Sequence, residues 1–129
     1  MELAEYFENQ TDSGVLATAD NQGRVDVAVY ARPHVIDSET IAFIMPDRLT
    51  HHNLQSNNHA AYLFMEKGPG YKGIRLFLSK VREEEDSELL HSIRQRKYAM
   101  EPGEEEEPRF LVLFRVDKVL PLIGAGKDS

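Results

Sequence analysis

The chain contains no cysteine. That excludes disulfides, thiolate nucleophiles and cysteine-ligated zinc or iron–sulfur sites, and it fits a reducing compartment. No apolar run approaches the ~20 residues of a membrane span. Basic residues are the minority, with 15 Lys and Arg against 22 Asp and Glu and a net charge of -7. Such a chain is a poor general binder of nucleic acid or of an anionic membrane, because both need a basic surface. Local basic pockets remain compatible with it. The segment Met1-Glu2-Leu3-Ala4-Glu5 lacks the basic and apolar regions of a signal peptide. A soluble cytoplasmic protein is the expectation.

Several chemical signatures are missing as well. There is no Gly-x-Gly-x-x-Gly and no Walker pattern. No serine sits in a nucleophile elbow. The histidines are His34, His51, His52, His59 and His91, with no His-x-x-x-His pair among them. The adjacent His51 and His52 diverge by ~100° on a helix and rarely share a metal, so no metal site is expected. Glu83, Glu84, Glu85 and Asp86 read as a strand end entering a helix, where acidic side chains suit the helix dipole. Side-chain catalysis has little support, so a cofactor would have to bring the chemistry.

What is present fits one domain over residues 1–129, with 41% hydrophobic residues, enough for one core. Helical spacing predicts helices over 2–10, 47–57 and 87–98. Strands are expected over 15–19, 24–32, 40–45, 60–65, 74–82 and 110–119, the first two joined as a hairpin through Asn21-Gln22-Gly23. Turn-linked neighbouring strands point to an antiparallel sheet or small barrel with helical additions. The run Glu104 to Glu107 reads as a solvated loop, because like charges repel and stay wet.

Two places could hold a ligand. At the first, the apolar run 41–45 passes through Pro46 into Asp47-Arg48-Leu49-Thr50-His51-His52-Asn53-Leu54. A strand feeding a helix start leaves free N–H groups and the positive end of the helix dipole, which suit a phosphate. Asp47 is expected to cap the helix. Arg48 offers a planar donor fork, Thr50 a hydroxyl, and His51 or His52 a further partner, with Asn53 one turn on as a brace. An ordinary capped helix with an exposed arginine fits the same residues and is the commoner arrangement. At the second, Gly68, Gly70 and Gly73 let backbone approach a ligand, with Tyr71, Lys72 and Arg75 beside them. A plain flexible connection fits equally.

The order of these segments resembles a known family. Gly14-Val15-Leu16-Ala17-Thr18, then Val27-Ala28-Val29-Tyr30-Ala31-Arg32-Pro33, then Arg48-x-Thr50-x-x-Asn53-Leu54-x-x-Asn57-Asn58, then Tyr71-Lys72-Gly73-Ile74-Arg75-Leu76 is similar to the flavin-binding split barrels related to pyridoxamine 5′-phosphate oxidase. The resemblance spans roughly residues 10–120. It implies a mainly β, six-stranded antiparallel split barrel with short flanking helices, a homodimer, and FMN at the dimer interface. It implies that Arg48, Leu49 and Thr50 hold the phosphate, with His51 and Asn53 close by. Val27, Ala28, Val29 and Tyr30 would lie along the ring and ribityl chain, and Tyr71, Lys72 and Arg75 would complete the site.

Two departures stand out. Where many relatives carry a Ser-Arg-Lys stretch, the lysine position reads as Leu49 or Thr50. The residues that bind the vitamin in the true oxidase are not recognisable, so vitamin B6 oxidation is not expected. The resemblance implies an FMN-dependent oxidoreductase acting on a small substrate. Its alternatives are an electron-transfer or sensor flavoprotein, a deazaflavin- or haem-binding member of the same superfamily, or an acidic interaction module with an empty barrel.

Overall fold

The structure, a computed structural model, describes residues 2–97 and 109–124. A short helix α1 (Leu3–Glu8) leads into the hairpin β1 (Ser13–Ala19) and β2 (Val25–Ala31). Then come β3 (His34–Val35), β4 (Thr40–Pro46), α2 (Leu49–Ser56), β5 (His59–Met65), β6 (Gly73–Glu85), α3 (Glu88–Lys97) and β7 (Arg109–Pro121). The strands form one sheet of seven in the order β2-β1-β5-β6-β7-β4-β3, and every pairing is antiparallel. The mainly β split-barrel expectation holds. The count rises from six to seven because Pro33 bends the chain after β2, and His34 and Val35 then pair with Ala42 and Ile41. Tyr98 and the glutamate run 104–107 lie outside the described residues.

β6 and β7 are the long strands, 13 residues each, and they join the two halves of the sheet. Register shifts between Phe77 and Leu78 and between Lys80 and Arg82 break their ladder. Such bulges increase the local twist and let the sheet curl around its core. The core gathers Leu16, Phe43, Tyr62, Phe64, Leu76 and Phe114 on the inner face. Behind β4 and β7 a second cluster forms, where Ala42, Leu111 and Leu113 meet Leu90 and Ile93 of α3. These two strands are therefore covered on both faces, which explains why 41–45 and 110–114 are unbroken apolar runs rather than alternating ones.

β2 behaves differently. It is an edge strand, and Val25, Val27 and Val29 are 80%, 66% and 75% exposed. Asp26, Ala28 and Tyr30 are the half-buried set. Register aligns Val29 with Val15 and Val15 with Leu63, and aligns Val27 with Ala17, Ala61 and Phe77 across four strands. An apolar outer face results, with Leu63 and Phe77 also exposed. Among the described residues, no helix is long and apolar enough to cross a membrane.

Candidate functional site

β4 ends at Pro46, and the Arg48 N–H donates to the Pro46 carbonyl at 2.9 Å, turning the chain into α2. Arg48 occupies the N-cap position in extended conformation, and no side chain caps the helix. The expected cap at Asp47 is therefore corrected. The helix begins at Leu49, so Asp47 stands one residue too early, and its Oδ1 instead meets His51 Nδ1 at 2.8 Å. Among the described residues no side chain makes a capping hydrogen bond to this helix start, whose N–H groups the helix dipole makes attractive to an anion.

Around this helix start four side chains converge from three elements. Thr50 is buried, and its hydroxyl hydrogen-bonds the Tyr30 phenol of β2. Burial pushes the Tyr30 phenol up from its ordinary value, while the Thr50 hydrogen bond and the charges of Arg48 and Arg109 oppose that rise and Asp26 adds to it. Two guanidinium groups thus lie close enough to Tyr30 to act on it electrostatically. The Tyr62 hydroxyl donates to the Tyr30 carbonyl at 3.0 Å, and the Tyr30 ring stands edge-on to Phe43 at 5.7 Å. Both contacts fix the strand that carries the phenol.

Arg109 was not legible as a site residue. It opens β7 opposite Pro46, and only sheet register brings it near Arg48. Its one signal in the sequence is a basic side chain immediately before an apolar run.

The rest of α2 is anchored elsewhere. Asn53 is buried and donates to Thr18 Oγ1 at 3.1 Å, so the expected brace is a tie between α2 and β1. His51 lies flat on Phe110, with ring centroids 3.9 Å apart. Both of its nitrogens are engaged, Nδ1 with Asp47 and Nε2 with Glu83 Oε2 at 2.9 Å. Glu83 Oε1 also accepts from Gln55 Nε2 at 2.9 Å and from Lys80 Nζ at 2.7 Å. Burial alone would raise the Glu83 carboxyl, but the hydrogen bonds from Gln55, Lys80 and His51 outweigh it and hold the group down to about 2. Glu83, Glu84 and Glu85 are the last three residues of β6, and Asp86 leads on toward α3, the strand end entering a helix that the sequence suggested.

A groove of about 560 Å³ lies between α2 and the β1–β2 hairpin. Leu49, His52 and Asn53 line one side, Val25, Asp26 and Arg24 the other. Val27 and Val29 point to the outer face, while Ala28 and Tyr30 face inward.

Tyr71, Lys72 and Arg75 stand at the far end of β6 from α2, three strands across the sheet from Tyr30. They lie at the Gly73 end of β6, whereas Glu83, beside α2, is ten residues further along the same strand. Across the sheet, register runs from Tyr30 through Gly14 and Phe64 to Ile74, three strand spacings or roughly 15 Å. Tyr71 is exposed. Arg75 uses its guanidinium to hold the end of β7, with Nε donating to the Pro121 carbonyl at 3.0 Å and Nη2 to the Gly124 carbonyl.

Residues 1–122 match the family model described as Pyridoxamine 5′-phosphate oxidase. The chain belongs to that family. No curated protein sequence matches it. Among solved structures it is similar to an FMN-binding protein from Syntrophomonas wolfei subsp. wolfei, with a TM-score of 0.76 at 20% identity over 95% of this chain and 85% of that one. It is similar to an F420 reductase, with a TM-score of 0.72 at 18% identity over 89% of this chain and 94% of that one. A third likeness is to a FAD-binding protein from Mesorhizobium loti, with a TM-score of 0.57 at 16% identity over 88% and 84% of the two chains.

Proposed function

We propose that this chain is a flavoprotein that binds FMN and acts as an oxidoreductase on a small substrate, working as a homodimer. The observation that carries the reading is the convergence of Arg48, Arg109, Thr50 and Tyr30 at the uncapped start of α2. Two cations, two hydroxyls and a helix N-terminus form a donor set suited to a phosphate monoester. This set also answers the missing lysine of the family pattern, because Arg109 supplies a second positive charge from β7. Arg48, Thr50 and the N–H groups near Leu49 would hold the phosphate, with His51 and Asn53 fixing the helix that carries them. Residues 27–30 would follow the ribityl chain and ring edge. When bound, the flavin supplies hydride or single-electron transfer, and the chain supplies binding and orientation.

The family resemblance, which implies FMN at a dimer interface, supports the dimer. The exposed valines of β2 support it too, since an apolar edge strand left uncovered is an aggregation hazard.

Likeness to an F420 reductase supports a second reading, in which the ring is a deazaflavin. Titration of the purified full chain with FMN, FAD and F420, followed by absorbance and fluorescence, tests both. Tightest uptake of FMN is expected. Preference for F420 selects the second reading, and a colourless protein that takes up none of the three overturns the proposal.

A further inference from the structure

α2 has only 8 residues. A helix that short has little stability of its own, so its pose is set by what ties it to the sheet. Among the described residues three side-chain ties stand out. Thr50 bonds Tyr30 on β2, Asn53 bonds Thr18 on β1, and His51 and Gln55 together bond one carboxylate, Glu83 on β6. The third tie is the most elaborate. Glu83 uses one oxygen for His51 and the other for Gln55 and Lys80, and Lys80 reaches back to the Leu54 carbonyl at 3.5 Å. His51, 7% exposed at its side chain, is wedged between this carboxylate, Asp47 and the Phe110 ring. It directly follows Thr50 and stands three residues after Arg48.

We propose that Glu83 is a positioning residue for the phosphate end of the site, setting through His51 and Gln55 where α2 presents Arg48 and Thr50. The inference rests on the reading of that helix start as a phosphate site. It makes a prediction opposite in sign to simple electrostatics. Glu83 is a negative charge near a site for an anion, so neutralising it should tighten phosphate binding if charge alone mattered. If Glu83 sets geometry, neutralising it weakens binding, because small displacements of oriented donors are costly.

The test compares FMN with riboflavin, which has the same ring and ribityl chain but no phosphate. Dissociation constants for both are measured on the wild-type full chain, on Glu83→Gln and on Gln55→Ala. Gln55 is exposed, so losing its amide removes one arm of the tie with little risk to folding. The expected result is a loss of FMN affinity of roughly tenfold in Glu83→Gln and about threefold in Gln55→Ala, with riboflavin affinity changed less than about twofold. Equal losses for both ligands would mark Glu83 as a general stabiliser and overturn the proposal. So would an unchanged or tighter FMN affinity. A wild-type protein with no preference for FMN over riboflavin removes the phosphate reading, and this proposal with it. A wild-type preference that survives intact in both variants overturns this proposal alone.

Discussion

The Asn53 amide donates to the Thr18 hydroxyl at 3.1 Å, and both groups are buried. The bond joins the middle of α2 to the inner face of β1, a contact between residues 35 apart in sequence. It is a neutral pair sealed from water, so each partner depends on the other for its hydrogen bond.

Asn53→Ala leaves the Thr18 hydroxyl without this partner and opens a small void. The expected loss is about 1–3 kcal/mol, read as a lower urea midpoint at unchanged slope. Asn53→Leu combined with Thr18→Val replaces both polar groups by apolar ones, and should cost less than Asn53→Ala alone. Equal destabilisation in the two variants would mean that packing, rather than the hydrogen bond, carries the tie.

Gly14 is required by close approach. A Cβ at that position would lie 2.6 Å from both Cζ and Oη of Tyr62, and closer still to the Leu63 carbonyl oxygen. The same Tyr62 hydroxyl donates to the Tyr30 carbonyl. Gly14→Ala should therefore push Tyr62 off that carbonyl and disturb β2, costing about 1–3 kcal/mol in chemical denaturation. A melting temperature equal to wild type would show that β1 and β5 can separate without penalty.

Most elements were legible in the sequence because their signals are local. Alternation in 74–82, unbroken apolar runs at 41–45 and 110–114, and turn residues at 21–23 each mark a strand by its own composition. What escaped depended on register or on competition between partners. Arg109 comes to the start of α2 only because β7 pairs with β4, opposite Pro46. Asp47 looked like a cap by residue type, but the side chain one turn away, His51, is its partner. Glu83 sat in a run of four acidic residues read as suiting a helix dipole, and nothing local tells which of them a histidine from another element will find. The valines of β2 signalled a strand correctly, yet their periodicity could not say which face they occupy.

Glu83 also makes stability depend on pH. Its carboxyl is held at about 2 in the folded chain against an ordinary value of 4.5. The unfolded chain therefore binds this proton first as pH falls, and the contribution is fully present above about 4.5 and lost as pH drops through about 2. The amount is on the order of 1–2 kcal/mol after solvent screening. Denaturation midpoints for wild type and Glu83→Gln should converge as pH falls from 5 toward 2. A constant gap between them across that range would show that Glu83 keeps an ordinary affinity for its proton.

The phosphate end has its own signature. Arg48→Ala with Thr50→Val removes one charged donor fork and one hydroxyl, and each hydrogen bond to a charged group is worth about 1.5–3 kcal/mol. FMN affinity should fall by at least about tenfold while riboflavin affinity holds, measured by quenching of flavin fluorescence. Arg109→Ala should give a smaller loss in the same direction, since its charge reaches the Tyr30 phenol less strongly than that of Arg48. An equal loss for both ligands would place these residues at the ring instead.

The outer face offers the last test. Val27 and Val29 are exposed on edge strand β2, Val29 in register with Val15 and Leu63 and Val27 with Ala17, Ala61 and Phe77. Neither side chain contributes to the buried core, so Val27→Asp and Val29→Asp should leave the monomer fold standing. In a dimer built on this face, the same changes bury unpaired carboxylates against apolar surface, at a cost of several kcal/mol. Light scattering should then report a monomer for the double variant and a dimer for wild type. A site shared between two copies is incomplete in the monomer, so flavin affinity should fall as well. A monomeric variant that holds FMN as tightly as wild type would show that one chain builds the whole site, and a variant that stays dimeric would move the interface off the valine face.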